Sequence, residues 1–162
     1  MFDKMKGQAA TEYLIILAVV VIIALIVIGV LGGFPGMTRG ISERESAAYW
    51  AGADVGIIRY ALQTSSGNSQ IVLRNNKNFQ VTVTNITIGA QTPAQTDYTP
   101  NIPQNIAPGA SRSLLANYSK LNCSSGTVGD LYTLAVTITY QDTQYGTTYT
   151  FYGEKPLVGT CQ

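Results

Sequence analysis

The stretch "KGQAATEYLIILAVVVIIALIVIGVLGG", Lys6 to Gly33, decides how the rest of the chain is read. No charged residue lies between Glu12 and Arg39, and Tyr13 to Leu31 is built almost wholly of Ile, Val, Leu and Ala. A helix rises about 1.5 Å per residue, so about 20 such residues span the roughly 30 Å hydrocarbon layer of a bilayer. The run is apolar on every side and therefore needs lipid or protein all round it. Its β-branched residues favour strand in water, but in lipid the backbone must bond within its own segment, and helix results. Lys4 and Lys6 precede the run, on the side that the positive-inside rule keeps cytoplasmic. One carboxylate, Glu12, stands at its mouth.

Three uses of such a segment compete. A cleaved secretory signal has a shorter core and a small-residue cleavage site after it, which "GGFPGM" (Gly32 to Met37) matches poorly. A plain membrane anchor is the second use. The third is a helix that leaves the bilayer and packs against copies of itself, and the residues ahead of the run favour it. "KGQAATEYLIIL", Lys6 to Leu17, resembles the class III signal peptide of archaeal type IV pilin-like proteins. That family has Gln at the mature N-terminus, a small residue two places on, Glu two further and Leu four beyond. Gln8, Ala10, Glu12 and Ile16 occupy these places, with Ala10 where Ser is usual and Ile16 where Leu is usual. The resemblance implies that a prepilin peptidase removes residues 1–7 by cutting between Gly7 and Gln8, and that the helix stays in the mature protein.

The motif also has a physical reading of its own. Cleavage would create an ammonium at Gln8, one helical turn from Glu12. A carboxylate within an apolar layer costs about 2.5–3.5 kcal/mol even on lenient scales, so it needs a partner. The Gln8 amine of the same or a neighbouring subunit supplies one. The plainer account, an acid favoured by the dipole in a first helical turn, leaves Gly7, Gln8 and the lysines unexplained.

Beyond the run, Gly29 and Gly33, and Gly32 and Gly36, form GxxxG pairs that permit close helix approach. Pro35 among these glycines is expected to break or kink the helix, giving a hinge near residues 32–40. "ISERESAAYWAGAD" then reads as a stalk helix, with Ser42 as N-cap, Glu45 completing a capping box and an end near Ala53. Trp50, the single tryptophan, is expected to anchor that helix on a head domain. The expected organisation is therefore leader 1–7, hydrophobic helix and stalk 8–53, and head 54–162.

From Asp54 onward short alternating runs are separated by turn residues. "VGIIRYAL" and "SQIVLRN" flank "TSSGN", "FQVTVTNITIG" alternates apolar with hydroxyl residues, "SRSLLANY" follows, and "LYTLAVTITY" and "TTYTFYGEK" flank "QDTQYG" as a hairpin. Six or seven such strands predict a β-sandwich. The connection from Gly89 to Ala110 carries Pro93, Pro100, Pro103 and Pro108 and is expected to run over the surface or hold one edge strand. The fold class expected is α+β, a long hydrophobic helix followed by an immunoglobulin-like all-β sandwich, the head type that archaeal pilins and archaellins carry.

Charged residues make up 12% of the chain and the net charge is +1, so no basic footprint for nucleic acid is present. Histidine is absent, which removes the commonest general base and metal ligand. Asp54, Asp97, Asp130, Asp142 and Glu154 show no paired or calcium-loop spacing. No enzyme activity, metal or cofactor is expected. Cys123 and Cys161 suit one disulfide, which an extracellular setting favours over two buried thiols. Asn85, Asn117 and Asn122 open three N-x-Ser/Thr sequons.

The expected function is that of a structural subunit of an adhesive, extracellular pilus-like filament, membrane-embedded as its precursor. Its partners would be copies of itself, prepilin peptidase and assembly machinery in the membrane, and a surface or other cells. An archaellin of a rotary filament, and a membrane-tethered binding module that never polymerises, are the competing readings.

Overall fold

The computed structural model describes residues 3–31, 35–123 and 126–162. Two helices open the chain, α1 (Asp3–Leu31) and α2 (Pro35–Gly52). The chain divides into two compact units, Met1–Ile41 and Ser42–Gln162, which are taken separately below.

The described residues of the first unit are helical. Pro35, expected to break or kink the helix, is the first residue of α2. Proline is well placed there, because its missing N–H is one that the first turn leaves unbonded in any case. Of the expected hinge, residues 32–34 lie outside the described residues, while Pro35 to Gly40 is helical. Gly33 and Gly32, one member of each GxxxG pair, lie outside them too. Ser42 is consequently an interior residue of α2 and not its cap.

Among the described residues the second unit holds ten strands: β1 (Val55–Ala61), β2 (Asn68–Asn75), β3 (Val81–Ile88), β4 (Tyr98–Thr99), β5 (Gln104–Ile106), β6 (Ser111–Asn117), β7 (Leu131–Leu134), β8 (Val136–Asp142), β9 (Thr148–Tyr152) and β10 (Leu157–Thr160). They form antiparallel sheets ordered β1-β2-β6-β4, β5-β3-β8-β9 and β10-β7. The chain is thus an apolar N-terminal helix followed by antiparallel β-sheets, an α+β architecture. Along β8 every second residue is buried, the period of a strand with one face on a core. Ile71, Leu73 and Leu114 from the first sheet share that core with Val83, Ile86, Val136 and Ile138 from the second.

Three local results differ from the sequence reading. The run "LYTLAVTITY" is two strands, β7 and β8, which pair in different sheets and part at Ala135. There the Ala135 carbonyl accepts the Gly89 N–H at 2.7 Å. Gly89 has φ +63°, a conformation that favours glycine, and a Cβ on it would lie 3.0 Å from Leu134 Cδ2, which would have to shift. The proline-rich connection holds two edge strands where one was expected: β4 borders the first sheet and β5 the second. A last strand, β10, follows Pro156 and pairs with β7.

The helical segment from Ser42 falls in the same compact unit as the strands. Ser46 is buried, donating to the Pro156 carbonyl at 2.8 Å and accepting the Val158 N–H at 2.9 Å. Trp50 is fully buried, edge-on to Tyr49 and Phe151 with centroids 5.4 and 5.9 Å apart. At the end of α2 the Asn76 amide donates to the carbonyls of Ala51 and Ala53. Buried Asn75 is fully used: its Nδ2 donates to the Phe79 and Ile106 carbonyls and its Oδ1 accepts the Lys77 N–H.

A disulfide joins Cys123 to Cys161 with Cα atoms 5.7 Å apart, tying the segment before β7 to the residue after β10. Closing a loop across that separation of 38 residues restricts the unfolded chain and stabilises the fold by about 4 kcal/mol in the chain-entropy model.

Buried phenols give the head a marked pH dependence. Burial pushes Tyr98 and Tyr132 well above the ordinary phenol range, assisted at Tyr98 by nearby Asp97 and at Tyr132 by Tyr60 and Glu43. Tyr140 is raised by burial and by its 2.9 Å hydrogen bond to Asp54. A phenol ionises near pH 10 in the unfolded chain, while these remain protonated in the folded one. Their contribution is therefore complete below about pH 10 and is lost as pH rises from there toward the folded values. With Tyr98 and Tyr132 both shifted, unfolding free energy is expected to fall by up to about 2.7 kcal/mol per pH unit above pH 10. Urea titrations between pH 8 and 11.5 measure this; a stability that stays level throughout would refute it.

Candidate processing and assembly site

Within α1 the segment Thr11–Gly29 is long and apolar enough to cross a membrane, and none of its residues is buried. Every side chain from Thr11 to Gly29, Glu12 included, is exposed. Tyr13, Ile16, Leu25 and Ile28 each expose 60% or more of their surface. A helix apolar on every side needs an apolar cover. Lipid or other protein must cover it, because each buried Å² of apolar area is worth about 25 cal/mol.

Gly7 and Gln8 lie in the helical backbone of α1, and their side chains fall outside the described residues. On that backbone Gln8 and Glu12 are four residues apart, the spacing that puts two positions on one helix face. Glycine within a helix costs about 1 kcal/mol relative to alanine, so Gly7 is the natural place for local unwinding. Met1 and Phe2, the start of the expected leader, lie outside the described residues.

Three of the five scattered acids of the head, Asp54, Asp97 and Asp142, are occupied structurally. Asp54 accepts from Tyr140 and pairs with Lys77 at 2.8 Å. Asp97 accepts the Ala94 N–H and lies 3.8 Å from Lys120. Buried Asp142 accepts the N–H groups of Gln144 and Tyr145 and so shapes the β8–β9 turn. Among the described residues no three His, Cys, Asp or Glu side chains gather as metal ligands would. An open groove of about 430 Å³ runs past Glu43, Arg44, Arg59, Tyr60 and Tyr132, with Glu43 accepting from Thr160 at 2.7 Å.

The three sequons sit in different settings. Asn85 is in β3 beside a register shift, half-buried and paired with Thr139 of β8. Asn117 ends β6 and is exposed. Asn122 is held by Gln91, exchanging bonds of 2.9 and 3.0 Å, and donates its Nδ2 to the Tyr118 carbonyl. Ser124, the third residue of its sequon, lies outside the described residues.

Sequence reasoning missed two packing residues of the head. Ser46 lies one turn before Trp50 on the same face of α2, a spacing visible in the sequence. Gly153 follows an aromatic strand, where glycine often marks a close approach; a Cβ there would lie 2.3 Å from the Trp50 ring. No protein-family model matches the chain, and no curated protein matches it in sequence.

Proposed function

We propose that this chain is the structural subunit of a type IV pilin-like filament of the archaeal kind. The observation that carries the reading is one juxtaposition. A prepilin-like motif, Lys6 to Glu12, runs directly into a 19-residue apolar span with no buried residue. A helix retained after cleavage would have that surface covered first by lipid and then by neighbouring helices. Copies of this chain are therefore the main partner, with a prepilin peptidase and a membrane assembly machinery acting before them.

In this reading the two four-stranded sheets form an immunoglobulin-like sandwich that makes the outer sheath of the filament. That sheath faces solvent and any surface to which the filament adheres. The disulfide and the weakly charged, hydroxyl-rich strands suit an extracytoplasmic setting. The helix is membrane-embedded in the precursor and becomes the filament core on assembly.

Protein sheared from intact cells is expected to begin at Gln8, with an intact mass lower by residues 1–7. N-terminal sequencing and mass spectrometry of the sheared and membrane fractions check this. A mature start elsewhere, or protein confined to membranes, would overturn the reading.

A further inference from the structure

The three sequons present the same side chain in chemically unequal states, and only one suits transfer of a glycan. At Asn122 both ends of the amide are engaged, the oxygen by Gln91 and the nitrogen by the Tyr118 carbonyl. Its neighbour Cys123 is buried in the disulfide, which ties Cys123 to Cys161 beside Asn122. At Asn85 the whole sequon, Asn85 to Thr87, is paired residue by residue with Thr139, Ile138 and Thr137 of β8. Ile86 in its middle is fully buried. Presenting either segment to an enzyme would require opening a ladder or a core.

Asn117 differs in where it sits and in its side chain: it pairs with Asn68 at the very end of the β2–β6 ladder, and no buried residue follows it in the sequon. It is the last residue of β6, where the chain turns away; Lys120 and Leu121 donate to its carbonyl at 2.9 and 3.0 Å. Asn117 and Ser119 are both exposed. The Asn117 Oδ1 accepts the Ser119 N–H at 3.0 Å. Among the described residues no hydrogen bond takes its Nδ2. The carboxamide is thus oriented through its oxygen, and its nitrogen stays available on an exposed residue.

We infer that Asn117 is the N-glycosylation site of this chain, and that Asn85 and Asn122 are left unmodified in the folded head. The inference rests on the filament reading in one respect, the extracytoplasmic placement of the head. The donor is a lipid-linked glycosyl phosphate, supplied by a membrane glycosyltransferase. The Nδ2 attacks the anomeric carbon and forms an N–C bond. The bond from that carbon to the phosphate oxygen breaks, the phosphate leaves with the electron pair, and the nitrogen gives up one proton. The Ser119 hydroxyl is the recognition element two residues on.

Glycopeptide mapping of the full-length protein from its native cells tests this, alongside Asn117→Gln, Ser119→Ala, Ser119→Thr, Asn85→Gln and Asn122→Gln. The Asn117 peptide is expected to carry the glycan. Asn117→Gln and Ser119→Ala should abolish it, Ser119→Thr should keep it, and the other two should leave it unchanged. Both abolishing changes are on the surface, and Ser119→Ala leaves the acceptor in place, so loss there reports recognition and not misfolding. An unmodified Asn117 peptide, or a glycan on Asn85 or Asn122, overturns the inference. The N-terminal peptide in the same digest reports processing separately. A chain that starts at Gln8 but is bare at Asn117 fails this inference alone; a glycosylated chain that keeps residues 1–7 fails the filament reading alone.

Discussion

Replacing Trp50 by alanine is expected to lower the stability of the head by about 3–5 kcal/mol, the range for emptying a large aromatic site in a packed core. In a unit of this size that lowers the melting temperature on the order of 10–20 °C. Trp50 is fully buried and clamps α2 to the end of β9 through Phe151 and Gly153. Its Nε1–H meets no acceptor among the described residues, so packing alone holds the indole. Trp50→Phe keeps an edge-on ring and removes a buried donor, and should recover most of the loss.

Gly153→Ala tests the same contact from the other side. The new Cβ would fall 2.3 Å from two ring carbons and 3.2 Å from the Val136 carbonyl oxygen. Overpacking of that kind costs about 1–3 kcal/mol. In a Trp50→Ala background the ring is gone, so the two costs should combine to less than their separate total. Circular-dichroism melts of the full chain and the three variants measure this cycle. A Trp50→Ala protein that melts within a degree or two of wild type would refute the clamp.

How far the sequence can be read depends on whether a residue's role is local. The exposed span of α1 follows from composition alone, since no arrangement of those side chains makes an amphipathic face. The hairpins β1–β2 and β8–β9 were equally legible, because alternation and a polar turn both lie within a short window. The split of "LYTLAVTITY" at Ala135 was not, because its cause is Gly89, distant in the sequence and bonded to Ala135 only in the fold. The role of Ser46 was hidden in the same way: its partners, Pro156 and Val158, are at the far end of the chain. Pro35 is legible only in part. Its effect depends on whether it falls inside a helix or on its first turn, and composition around it, with glycine on both sides, does not distinguish the two. At the candidate site the motif rests on the sequence alone, whereas the unequal state of the three sequons emerges only from hydrogen bonds made across the fold.

Glu12→Ala is expected to separate processing from assembly. Gly7 and Gln8 are unchanged in this variant, so cleavage should proceed and the mature chain should still begin at Gln8. What changes is the balance between lipid and filament. A carboxylate at the edge of the apolar span is costly in the bilayer, and removing it makes the membrane a better home for the helix. In the filament the same carboxylate would meet the Gln8 ammonium, and without it that amine is left among apolar helices with no counter-charge. Both effects act in one direction, toward retention in the membrane. Each 1.4 kcal/mol lost per subunit contact weakens association about tenfold, so filament yield should fall by at least about that factor. Glu12→Asp keeps the charge on a shorter arm and should restore part of the yield, which a requirement for bulk alone would not explain. Sheared filaments and membrane fractions, compared by immunoblot and N-terminal sequencing, give the two readouts. Wild-type filament yield from Glu12→Ala would mean that the acid is merely tolerated at a helix start, and the docking role assigned to it would be wrong.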